Sequence, residues 1–247
     1  MKNKTGKYLK YAIGEVILLV IGILIALQLN NMNEANKNKG YEKEYLFRIQ
    51  SDINQDIAEL EKHFKTDTLK LDSYTFLSRL LRSNSINTSP ETLLMHLSRT
   101  AKLNWFEGKN IVFEDMKSSG KTSLIASDTL RNKIQIYYRL FEEVIKQERL
   151  NNNNIIKYID NINASIDPGP FIEAGMQKRW NANFDQITSI DLFYTVSNLD
   201  DNKKNLISNN YSLTKTQILS CHAIRFSLYQ EGIKISKSID DYLKLNK

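Results

Sequence analysis

Eighteen consecutive residues, Ala12 to Leu29 (AIGEVILLVIGILIALQL), carry only two strongly polar side chains, Glu15 and Gln28. At about 1.5 Å of rise per residue, a helix of that length spans roughly 27 Å, close to the hydrocarbon thickness of a bilayer. The run predicts one transmembrane helix over residues 12–30. It divides the chain into a basic tail, residues 1–11, and a polar, helix-patterned domain, residues 31–247.

Charge gives the span a direction. Lys2, Lys4, Lys7 and Lys10 precede it with no acidic residue among them, whereas Glu34, Lys37 and Lys39 beyond it partly cancel. A Lys/Arg excess beside the first apolar segment holds that side in the cytoplasm. The expected topology is therefore an inner-membrane protein with a cytoplasmic N-terminus and a periplasmic domain. A cleaved signal peptide is the competing reading. Its h-region is usually about 7–15 residues and is followed by small residues, while here the run is longer and leads into Leu27-Gln28-Leu29-Asn30-Asn31. The tail also accounts for four of the six formal net positive charges. The remainder shows no basic stripe with interleaved aromatics, so a nucleic-acid partner is not expected, and the lysines serve orientation and anionic lipid. Cys221 stands alone, which rules out an intrachain disulfide.

The domain carries three prolines, and its long 3.6-period runs predict an all-α bundle. Leu46, Ile49, Ile53, Ile57, Leu60, Phe64, Leu71 and Tyr74 mark an amphipathic helix from about Lys43 to Arg82, rising almost directly from the anchor. Ser89-Pro90-Glu91 is a helix start, Ser89 as N-cap and Pro90 at N1, for a short helix through Arg99. A second short helix, Ile111 to Ser118, should end at a left-handed Gly120. Ser127-Asp128 opens a long helix through Ile162, with Asn151–Asn154 as an interruption in its pattern. Asp167-Pro168-Gly169-Pro170 is a turn, and residues 171–188 fit no clear element. Near Ser189 a helix is expected to about Ser208, then a final one from Leu213 to Leu245, with Ile218, Cys221, Arg225, Leu228, Ile235, Ile239 and Tyr242 near one face.

Chemistry-like motifs mostly dissolve. Ser118-Ser119-Gly120-Lys121-Thr122 looks like the end of a P-loop, but Asp115 occupies the position of the required glycine, and the flanks read as helix. His63, His96 and His222 lack the i, i+4 spacing of a helical metal pair, and Cys221-His222 point about 100° apart on a helix. Trp105-Phe106 and Trp180 suit packing better than a ligand cage. No catalytic, cofactor or metal residue is assigned, and no enzyme activity is expected. Glu15 is the exception, because intramembrane carboxylates are functional candidates by default. Beside it Gly14, Leu18, Gly22 and Ala26 form an i+4 stripe of small and apolar residues that permits close helix approach. These five residues are the candidate transmembrane contact.

Tyr11-Ala12-Ile13-Gly14-Glu15, then Gly22-Ile23-Leu24-Ile25-Ala26-Leu27-Gln28-Leu29-Asn30-Asn31 and Asn33-Glu34, resemble the N-terminal signature of a family of Bacteroidota membrane proteins of unknown function. Ser119-Gly120, Leu124-Ile125, Leu130-Arg131 and Tyr137-Tyr138 are similar to that family's central segment, while Met32 stands where it commonly has Trp. The resemblance implies a single span and a helical extracytoplasmic domain, with no activity attached. The leading expectation is a membrane-anchored helical interaction or sensory module, with the membrane and a protein partner or second copy as its contacts. The alternative is a single-span accessory subunit of an ion-driven or envelope transport complex that uses Glu15. A lesser alternative is an unrecognised enzyme.

Overall fold

The computed structural model describes residues 4–83, 85–100, 103–164 and 189–245, and among them it is all-helical, with no strand. Six α-helices follow in order: α1 Lys4–Arg82, α2 Pro90–Thr100, α3 Ile111–Ser118, α4 Asp128–Asn163, α5 Ser189–Ser197 and α6 Asp201–Leu245. A short 3-10 turn, Lys121–Leu124, lies between α3 and α4. The Asp167–Pro170 turn, the 171–188 segment and Trp180 lie outside the described residues.

The three long helices carry the architecture. Gln50 donates to the Ser236 carbonyl and Ser78 pairs with Ser208, so α1 and α6 run antiparallel. Lys133 reaches Ser238 and Asn161 reaches Asn210, so α4 also opposes α6 and parallels α1. Apolar residues at three- and four-residue steps form two cores along this axis. The core nearer the N-terminal apolar segment gathers Leu46, Ile49, Ile53, Tyr137, Phe141, Leu228 and Ile235; the far one gathers Tyr74, Leu77, Leu93, Ile155, Ile207 and Tyr211.

Local sequence explains most helix ends. Ser89 caps α2 by accepting from Thr92 N at 3.2 Å, with Pro90 at N1, and Ser127 caps α4 by accepting from Leu130 N at 3.2 Å. Gly120 adopts the expected left-handed conformation, φ +70°, which ends the α3 turn. The P-loop-like residues are thus a helix-terminating turn running into 3-10 geometry. Asn151–Asn154 do not break α4, because Asn151 and Asn152 turn inward and find partners in Cys221 and the Asn104 carbonyl.

Two expected boundaries move. The helix expected from Ser189 to Ser208 ends at Ser197, and the last helix begins at Asp201 rather than Leu213. Asp200 causes the restart, since its carboxylate accepts from Lys203 N at 2.8 Å and Asp201 sits in the first turn, against the helix dipole.

The other shift is at the N-terminus, where α1 does not begin near Lys43 but runs unbroken from Lys4, roughly 118 Å in all. Residues 15–41 are exposed, and among the described side chains Glu42 is the first that is buried. The apolar run is therefore followed by a bare stem, residues 30–41, about 18 Å long. Five asparagines and Gly40 in that stem lower helix stability by about 4 kcal/mol relative to alanine.

Candidate functional site

The five nominated contact residues lie on the uncovered lower part of α1. Glu15, Leu18, Gly22 and Ala26 are exposed and Gly14 is intermediate. A Cβ built at Gly14 or Gly22 meets nothing within 4 Å. An i+4 ridge advances about 40° per step on a straight helix, so Gly14 and Ala26 end well apart around the axis. Among the described residues, no other helix packs on Glu15, Leu18, Gly22 or Ala26. The fold leaves them available at a surface, in a helix apolar and long enough to cross a membrane.

Sequence reasoning missed the other concentration of chemistry, a layer of charge between the two cores. Arg225 of α6, 2% exposed, holds Asp67 of α1 through Nη1 at 3.0 and 3.3 Å and Glu148 of α4 through Nη2. Glu148 also accepts from Phe106 N at 3.0 Å, and Asp67 accepts from the Asn104 amide at 3.4 Å. His222 approaches Asp67 at 3.5 Å from the surface side. Lys70, also buried, borders the same small cavity as Asp67, Arg225 and Cys221. That cavity is about 20 Å³, room for one water but not for a substrate. Burial pulls the Arg225 guanidinium down, yet the two carboxylates overcome it and hold the group above its ordinary value. Burial pushes the Cys221 thiol up, which leaves it protonated, an inert neighbour rather than a nucleophile.

A second set of carboxylates on α1 holds the irregular segment 103–110. Its backbone N–H groups have no ladder of their own, and buried donors require partners. Glu59 accepts from Glu107 N at 3.0 Å and Asp56 accepts from Lys109 N at 2.7 Å, while Glu148 takes Phe106 N from the α4 side. Farther down, Glu42 accepts from Ala126 N and from the Tyr242 hydroxyl, both at 2.8 Å. The segment is thus wedged between α1 and α4 by side chains, with Phe106 in the core and Trp105 half exposed.

Asp56 is fully buried, and the Tyr137 hydroxyl donates to it at 2.8 Å. Burial pushes its carboxyl up to about 7, with Glu59 and Asp52 adding to the rise and the bonds from Tyr137 and Lys109 opposing it. The unfolded chain releases this proton near pH 4 while the folded chain keeps it to about pH 7. Stability from this group is therefore complete below about pH 4 and is lost as pH rises to 7, at up to about 1.4 kcal/mol per unit. Asp56→Asn is expected to flatten that decline, measured as urea midpoints of the full chain in detergent micelles across pH 4–7. A variant that tracks the native slope would show the carboxylate already charged inside the fold.

The histidines sit apart. His63 stands beside Glu59 and meets Phe106 edge-on, and His96 stacks on Phe76 and bonds Ser73. Among the described residues no group of three or more His, Cys, Asp or Glu is placed to hold a metal ion. An open groove of about 540 Å³ lies at the far end, lined by Asp72, Phe76, Arg79, Ser83, Ser85 and Asn87.

The model of a family of unknown function, DUF6090, matches residues 15–173, from Glu15 in the apolar run through the whole of α4. No match emerged among curated proteins or among solved structures.

Proposed function

We infer that this chain, which belongs to the DUF6090 family of unknown function, is a membrane-tethered helical module that works by protein contact. One observation carries the reading: the apolar run of α1 is left uncovered by the other described residues, and the same helix continues without a break into the bundle. An anchor joined to its domain by a continuous helix transmits rotation and tilt, which a flexible linker would lose. The charge layer adds support, because the most polar interior of the bundle is occupied by its own ion pairs and a cavity of one-water size.

The lysines before the run orient the tail inward and the bundle outward, across the inner membrane of a Bacteroidota cell. Asn153 is an exposed site on α4 suited to testing this. Asn153→Cys, with Cys221→Ser, should react with a membrane-impermeant maleimide in cells whose outer membrane is permeabilised. Labelling only after lysis would overturn the orientation. In-cell crosslinking of the native chain should yield discrete adducts, and a chain that stays free of any adduct would overturn the contact role.

A further inference from the structure

We propose that residues 107–110 form a proton-controlled clasp: they lie closed on α1 while Asp56 carries its proton, and a rise in pH releases them separately from global unfolding. The inference stands apart from the contact role above. It begins from an unequal treatment of buried carboxylates. Asp67 and Glu148 each receive a guanidinium nitrogen of Arg225. Asp56, 0% exposed, forms no ion pair among the described residues, and its two oxygens meet Lys109 N and the Tyr137 hydroxyl. A buried carboxyl without a cation favours its neutral acid. Both contacts accommodate that proton. A phenol can donate or accept, so the acid O–H donates to Tyr137 Oη while the carbonyl oxygen keeps Lys109 N.

The surroundings make the ionised form costly. On α1, Asp52 and Glu59 stand one turn to either side of Asp56, and they add to the burial that takes its carboxyl up to about 7. The cations Arg48 and Lys109 favour the charged form of Asp52, and His63 sits beside Glu59. α4 contributes the phenols Tyr137 and Tyr138, and α3 sets the Val112 N–H against Asp52. α6 presents Gly232 to Ile53, Ile57 and Tyr137, while its Tyr229 and Glu231 bond Glu61 and Lys234. An ionised Asp56 thus meets two like charges on its own helix, and lifting its cover hydrates it. That cover has no backbone ladder and is fastened through Glu107 N to Glu59 and Lys109 N to Asp56. Asn104, bonded by Asn152, and Phe106 N, bonded to Glu148, hold the upper end as a pivot. The long helices keep their places, because α6 holds α1 through Gln50 and α4 through Lys133. Released, Asp56 returns to a value near 4. The open fraction is therefore smallest below about pH 4, rises by up to about tenfold per unit to pH 7, and levels off above it.

Hydrogen exchange of the full chain in detergent micelles, read at single amides and corrected for intrinsic rates, tests this between pH 5 and 8. Protection of Glu107 N and Lys109 N should fall by up to about tenfold per unit to near pH 7 and then level. At each pH it should stay at least about tenfold below that of the Leu228 and Ile235 amides of α6. Asp56→Asn keeps both contacts, its NH2 donating to Tyr137 and its oxygen accepting from Lys109, and should hold the protection flat. The pair Asp52→Asn, Glu59→Gln keeps acceptors for Val112 N and Glu107 N but removes the like charges. Its levelling point should move down by at least about half a unit. Protection equal to that of the α6 amides would overturn separate release, since the segment would then open only with the bundle. A slope that survives Asp56→Asn, or a levelling point unmoved in the double variant, would overturn the proton control. If helix dichroism shows that Asp56→Asn does not fold, the double variant decides alone.

Discussion

Arg225→Met is expected to destabilise the bundle by about 4 kcal/mol, because it strands two buried carboxylates. The methionine fills most of the volume, so the loss is electrostatic rather than a cavity. Asp67 and Glu148 keep their bonds from Asn104 and Phe106 N, but neither retains the guanidinium that balances it. Arg225→Lys should fall between the two, since one ammonium cannot fork to carboxylates on two helices. The triple variant Arg225→Met, Asp67→Asn, Glu148→Gln removes the charge and leaves an amide oxygen for each N–H donor. It should recover much of the loss, as replacing a whole buried ion set often does. Thermal unfolding followed by helix dichroism of the full chain in micelles reads the series, a shift of about 2–4 °C for each kcal/mol in a chain of this size. A fall below about 1 kcal/mol for Arg225→Met would show that the layer contributes specificity and not stability.

This layer also shows where the sequence stopped being readable. Arg225 was already visible among the apolar-face residues of the last helix, between Cys221 and Leu228. Asp67 falls in step with Phe64, Leu71 and Tyr74, and Glu148 with Phe141, Ile155 and Ile162. Each alone resembles a polar lapse in a stripe. Their meaning lies in the common height of three lapses on three helices, which requires the helix pairing to be known. Long amphipathic runs, Ser caps and the left-handed Gly120 were legible because they depend on neighbours within a turn or two. Segment 103–110 was not, because its backbone is satisfied by carboxylates about 42 to 53 residues away in the chain. The α5–α6 boundary failed for a smaller reason, since Asp200 is an ordinary N-cap hidden in a run of polar residues.

The candidate contact surface divides in the same way. Gly14, Glu15, Leu18, Gly22 and Ala26 were chosen from composition and spacing, and the fold leaves them uncovered. What composition did not reveal is that the helix continues through Asn30–Tyr41, so that any contact begun in the apolar run can extend into the stem. A glycine and several asparagines ordinarily suggest a linker. They keep helical geometry here because helix on both sides removes the cost of nucleation.

Gly108→Ala is the second substitution with a large expected effect, about 3 kcal/mol, from two separable causes. The residue has φ +43°, a left-handed conformation that costs an alanine roughly 1–2 kcal/mol. Its added Cβ would also lie 2.2 Å from Phe141 Cε2 and 2.9 Å from Phe106 Cε1, overpacking of a kind that costs about 1–3 kcal/mol. The segment cannot retreat, because Glu107 N and Lys109 N on either side are fastened to Glu59 and Asp56. Gly120→Ala isolates the conformational part, since Gly120 has φ +70° and open space around its Cβ position, so it should lose only about 1–2 kcal/mol. Combining Gly108→Ala with Phe141→Leu should cost less than the sum of the two single changes, a coupling that a double-mutant cycle measures directly. Additive losses would mean that the segment shifts as a body instead of pressing on Phe141. Equal losses at Gly108 and Gly120 would assign the whole effect to backbone conformation.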